Sequence, residues 1–153
     1  YVVKDSKIEI IAGSKKLVVI EIHDTSMVGE VGFDYEIMKL FKKYNISYVM
    51  KATNANSISQ VIWERDLSKR LVNELRDKYK SIKIKKIAML CLIGSNISKP
   101  NILAKAARVL GENDININCV SISLSQVNIQ FVIDRENYKK SIVLLNDNLM
   151  LNQ

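Results

Sequence analysis

Residues 17–23 read LVVIEIH, a run rich in β-branched residues that predicts a strand, and residues 8–12 (IEIIA) predict a shorter one before it, stopped by Gly13-Ser14. Asp24 to Gly32 is a loop with two glycines. From Phe33 the period lengthens. Phe33, Ile37, Leu40, Phe41 and Tyr44 fall on one face of a helix, Lys39, Lys42 and Lys43 lie on or near its wet side, and Asn45 closes it, because Asn tolerates the left-handed conformation. Ile46 to Thr53 and Ser57 to Glu64 predict a hairpin around Asn54-Ala55-Asn56. Asp66 is the candidate cap of a second helix with the stripe Leu67, Leu71, Leu75 and Tyr79, and Ile82 to Lys86 predicts a basic strand.

The same order then begins again. Ile87 to Ile93 (IAMLCLI) reads as a buried strand ending at Gly94, followed by a loop with the sole proline, Pro100. A helix marked by Ile102, Ala106, Val109 and Leu110 stops at Gly111. A second hairpin uses Ile115 to Ser123 and Val127 to Ile133, and Tyr138, Ile142 and Leu145 mark the last helix. The period is roughly 70 residues. Asn45-Ile46-Ser47 parallels Asp114-Ile115-Asn116, and residues 57–62 parallel 128–133. Each repeat is the βαββα part of a ferredoxin-like sandwich, with helices on one face of an antiparallel sheet. Only the first repeat has its own last strand, so the economical solution sends residues 8–12 across to complete the second. The predicted fold is α+β: two ferredoxin-like βαββαβ sandwiches, one over residues 15–86 and inserted into the other, which takes residues 7–14 and 87–153.

Composition narrows the function. At 153 residues and 48% hydrophobic content the chain suits a compact unit or two small ones. No apolar run reaches the roughly 18 residues of a membrane span, and the start at Tyr1 shows no signal-peptide pattern. The absent initiator Met suggests a piece of a longer protein. Cys91 and Cys119 match no metal or redox spacing and are expected to be buried, reduced thiols of a cytoplasmic protein. The net charge of +7 is mostly Lys, and its densest stretch, residues 78–86, alternates Ile with Lys as a strand with one wet face does.

Catalytic chemistry is not visible. His23 is the sole histidine, without the partners a general base or metal ligand needs, and its place at a strand end suits proximity to a ligand loop. No phosphate loop, nucleophile elbow or H-E-x-x-H arrangement exists, and Gly29-Glu30-Val31-Gly32 lacks the third glycine of a dinucleotide site. The RNA-recognition fold shares this architecture but stacks bases on aromatics of its central strands, and those aromatics are missing. No catalytic residue and no metal ligand is therefore assigned.

The order LVVIEIH, DTSMVGEVGF, helix, NISYVMKATNANSISQVIWE, followed by IAMLCLIGSN, helix, DININCVSISLSQVNIQFVID, resembles the tandem ACT domains at the C-terminus of aspartate kinases over residues 8–150. That resemblance implies an allosteric region serving an enzyme that phosphorylates aspartate with ATP at the head of the lysine, threonine and methionine pathway. The K-F-G-G-[ST] motif of its N-terminal kinase domain is absent here, so ATP and Mg belong to the parent kinase domain and no cofactor is expected in this chain. It also implies insertion of the first ACT unit into the second, a homodimer through ACT domains, and no nucleic-acid or membrane partner. The alternative is an ACT pair regulating another enzyme of amino-acid metabolism, or an interaction module without an amino-acid ligand.

In the family an amino acid, lysine or threonine foremost, is held between ACT units by the loop after the first strand and by the second strand. By position the resemblance implies Met27, Gly29, Glu30, Gly32 and Phe33 in the loop, and Ser47, Tyr48, Val49 and Asn54 on the strand. Two positions depart from lysine-sensitive members. Their ammonium-binding Asp aligns with Val49, and a loop Ser aligns with Glu30.

Overall fold

A computed structural model describes residues 7–95, 97, 101–122 and 128–150. The chain divides into two compact units, Lys16–Lys86 and Tyr1–Lys15 with Ile87–Gln153, so the first is inserted into the second. Both are α+β sandwiches of the ferredoxin-like type, in which the antiparallel sheet buries one face under two helices.

The inserted unit contains the C-terminal part of β1 (Lys7–His23), α1 (Phe33–Lys43), β2 (Met50–Asn54), β3 (Ser57–Trp63), α2 (Lys69–Lys78) and the start of β4 (Ser81–Ser95). Its strand order is β2-β3-β1-β4. Val18, Ile20 and Ile22 of β1 stand opposite Ile62, Gln60 and Ile58 of β3. The isoleucines and Val18 pack under Ile37, Leu40 and Phe41 of α1 and Leu71 and Leu75 of α2. Gln60 shares that face, is fully buried, and has no hydrogen-bond partner for either amide atom among the described residues. At the far end of α1, Tyr44 Oη donates to Glu74 (2.6 Å) beside the Lys43–Glu74 ion pair (2.8 Å), bracing α1 against α2.

The other unit follows the same plan with α3 (Asn101–Gly111), β5 (Ile117–Ile122), β6 (Asn128–Asp134) and α4 (Tyr138–Leu149), in the order β1-β4-β6-β5. Ala88, Leu90 and Leu92 stand opposite Ile133, Phe131 and Ile129, and these six pack with Ile8 of β1 under α3 and α4. Strand β1 is thus the element that residues 8–12 were expected to supply.

Several expectations are corrected. Residues 8–12 and 17–23 belong to one strand, and so do 82–86 and 87–93. Gly13 does not stop β1: a Cβ there would lie 2.3 Å from the Met89 carbonyl oxygen and 2.9 Å from the Tyr138 ring, so glycine permits a close approach. Residues 46–49 precede β2. Asn45 is left-handed (φ 53°), and the Asn45 and Ile46 amides donate back to Lys42 and Phe41, closing α1 as a Schellman cap before the strand can start. Asp114 (φ 58°) closes α3 the same way, with its own and the Ile115 amide donating to Gly111 and Leu110, so the sequence parallel between these segments is a repeated helix stop. Ser68, not Asp66, caps α2: its Oγ accepts from the Leu71 amide, while Asp66 sits in a 3-10 turn. Cys91 and Cys119 form no disulfide and are only partly buried. The chain after the last predicted helix supplies no strand up to residue 150: α4 runs to Leu149, and residues 151–153 lie outside the described residues.

Candidate effector-binding site

The loop between β1 and α1 is held at both ends. Asp24 ends β1, and its Oδ1 accepts from the Ser26 amide (3.0 Å) and hydroxyl (2.8 Å), capping the 3-10 turn Thr25–Met27. Its own amide donates to the Asn56 carbonyl (3.0 Å), tying the loop to the β2–β3 turn, where Asn54 Oδ1 accepts from the Ser57 amide. The two Ser26 hydrogen bonds hold the Asp24 carboxyl below its ordinary 3.8, the backbone donor first. A lowered carboxyl stabilises the folded loop above the ordinary value and loses that contribution as pH falls through the folded one. The Ser26 amide resonance should therefore titrate with a midpoint below 3.8. Asp24→Asn should abolish that titration, and a midpoint at or above the ordinary value would contradict the cap.

Gly29 (φ 80°) and Gly32 (φ 84°) turn the loop into α1 through left-handed backbone that other residues reach only with strain. Gly32 occupies the cap position of α1 without a side-chain hydrogen bond, so first-turn amides face outward and carry the positive end of the helix dipole. Asp34 and Glu36 stand in that turn. Phe33 packs against the Tyr79 ring (5.3 Å between centroids). Burial, then the charges of Glu36, Glu30 and Asp24, push the Tyr79 phenol up.

These elements line an open cavity of about 530 Å³ on the surface of the inserted unit. Met27, Val28, Gly29, Glu30, Gly32, Phe33 and Asp34 line one side, and Lys51, Thr53, Asn54, Ala55 and Ile58 line the other. Lys51 and Thr53 alternate along β2 and face the helices, opposite Gln60 and Ile58. Lys51 Nζ pairs with Asp34 Oδ2 across the cavity. Around it Val28, Val31, Tyr35 and Tyr48 are exposed, Val31 almost completely.

Of the residues inferred from sequence, Met27, Gly29, Glu30, Gly32, Phe33 and Asn54 line this cavity. Ser47, Tyr48 and Val49 do not. Ser47 and Tyr48 are exposed before β2, and the Val49 amide donates to Val61 in the sheet. Asp34, Lys51 and Thr53 were missed. Their signal was the period-2 alternation of β2, which puts Lys51 and Thr53 on the covered side of the sheet, combined with the helix start that carries Asp34. His23 does not line the cavity, and its Nε2 is buried without a partner among the described residues. Among those residues no three His, Cys, Asp or Glu side chains gather as a metal site would require, and no helix is long and apolar enough to cross a membrane.

The ACT domain family profile matches residues 90–149. The aspartate kinase Ask_Ect of Stutzerimonas stutzeri is 35% identical over 141 residues, which is 90% of this chain and 30% of the relative. The chain belongs to the ACT-type regulatory regions of aspartate kinases. The fold agrees. This ACT region superposes on the aspartate kinase of Clostridium acetobutylicum with a TM-score of 0.84 at 23% identity, covering 94% of this chain and 35% of that one. It superposes on E. coli aspartokinase III in complex with lysine and aspartate with a TM-score of 0.80 at 20% identity, covering 96% and 34%. The ACT region thus spans about a third of the length of these enzymes.

Proposed function

We propose that this ACT region is the amino-acid sensor of an aspartate kinase, binding an effector in the cavity at the start of α1 and mediating feedback control of the lysine, threonine and methionine pathway. The observation that carries the reading is the cavity itself: outward amides of an uncapped helix start, two left-handed glycines and an internal ion pair are arranged within one concave site. Helix amides suit the α-carboxylate of a small zwitterion. E. coli aspartokinase III has been solved in complex with lysine and aspartate, and lysine and threonine are the two candidate effectors for this chain. The exposed Val28, Val31, Tyr35 and Tyr48 around the mouth support a homodimer through this unit, because apolar and aromatic side chains around a ligand site suit a closed two-fold contact. An effector wedged there biases the orientation of the attached N-terminal kinase domain, where ATP and Mg act in the cytoplasm.

A thermal-shift screen of the 153-residue chain against each proteinogenic amino acid tests the reading. A ligand that binds only the folded state raises the melting temperature with concentration. At least one amino acid should do so, and a screen in which none does would refute the sensor role.

A further inference from the structure

We propose that the Asp34–Lys51 pair is the element that reads the effector: it clamps the two charged ends of an α-amino acid with an uncharged side chain and turns away lysine-like cations. This rests on the sensor reading above and names the ligand class of the same cavity.

The pair has unfilled hydrogen-bonding capacity. Asp34 Oδ2 accepts from Lys51, but Oδ1 is shielded from solvent and has no partner among the described residues, although the side chain as a whole is 46% exposed. A shielded carboxylate oxygen without a donor is unfavourable and calls for one. An α-ammonium entering the cavity supplies it. Lys51 has three donors and is 18% exposed, with its ammonium 5.9 Å from the Tyr48 ring centroid. A ligand α-carboxylate reaches one of those donors together with the outward amides of α1. The pair is neutral as a unit, so it keeps its internal contact and adds one contact to each charged end of a neutral zwitterion, leaving no net charge in the site. Opposite Lys51, Gln60 shows the same reserve: it does not line the cavity, yet its buried amide adds an unpaired donor and acceptor on the same face of the sheet.

Selectivity follows from the fixed cation. The pair's carboxylate serves the α-ammonium, and the remaining acid of the lining, Glu30, is exposed and screened by water. A second ammonium on a ligand side chain would share the cavity with Lys51 and meet repulsion. Val49 carries no charge and does not line the cavity. The acid placed to hold the α-ammonium is Asp34, the second residue of α1.

Calorimetry on the 153-residue chain with L-threonine, L-methionine and L-lysine tests this. The wild type should bind L-threonine or L-methionine about tenfold or more tighter than L-lysine. Lys51→Met should narrow that ratio to roughly threefold or less, and Asp34→Asn should weaken the preferred ligand about tenfold, with circular dichroism showing both variants folded. Equal or tighter binding of L-lysine by the wild type, or an unchanged ratio in Lys51→Met, overturns the clamp while leaving the sensor reading intact. If no proteinogenic amino acid binds the wild type, the sensor reading fails and the clamp with it.

Discussion

Gly94→Ala should destabilise the chain by about 3 kcal/mol or more, because it forces a methyl group into backbone that cannot give way. A Cβ at Gly94 would lie 2.0 Å from the Lys7 carbonyl oxygen and 2.9 Å from Ile8 Cα. Both atoms belong to β1, where Ile8 is 1% exposed in the core of the second unit. Relief would require β1 to move away from β4, breaking pairing and withdrawing Ile8 from its cluster. Gly111 gives an internal control. A Cβ there meets nothing within 4 Å, and the residue ends α3 without a left-handed φ. Gly111→Ala should be neutral or stabilise by up to about 1 kcal/mol, through helix propensity and a less free unfolded chain. Urea unfolding followed by circular dichroism measures both. A Gly94→Ala chain as stable as the wild type would mean that β1 does not pack against β4 at this point.

Phe41→Ala should cost about 3–5 kcal/mol, the usual range for truncating a buried Phe. Phe41 is 2% exposed and anchors α1 on Val18, Ile20, Ile22, Ile58 and Ile62. Its carbonyl also accepts the Ile46 amide that closes the helix. Small domains hold only about 5–15 kcal/mol in total, so this loss is a large share of the stability of the unit that carries the cavity. The variant should show a lowered unfolding transition and weaker apparent affinity for any effector, since binding competes with local unfolding. Intact stability would place α1 elsewhere on the sheet.

Much of the fold was legible because the apolar periods were long and repeated. The stripe Ile37, Leu40, Phe41 and the alternation Ile129, Phe131, Ile133 are buried as their spacing requires. The errors came at residues whose role depends on a distant partner. Gly13 and Gly94 read as strand stops, yet each sits inside a strand where another backbone approaches, and nothing local distinguishes the two uses of glycine. The candidate site shows the same division. The loop residues from Met27 to Phe33 were implied by the resemblance to aspartate kinase ACT domains; the local pattern alone shows two glycines before a helix. Of the strand residues that the resemblance implied, Ser47, Tyr48 and Val49 lie before β2, because the left-handed Asn45 and the cap at Ile46 delay its start to Met50. Asp34 and Lys51 are ordinary surface residue types in sequence, and only the meeting of the α1 start with the covered face of β2 makes them a pair.

The most direct measurement is a titration of the isotopically labelled 153-residue chain, followed by amide NMR, with the amino acid that most raises its melting temperature. The account predicts saturable shifts concentrated at Gly29 to Asp34 and Lys51 to Ala55, the two walls of the cavity. Shifts confined to the second unit, for example along α3 and β5, or no shifts with any amino acid, would contradict it.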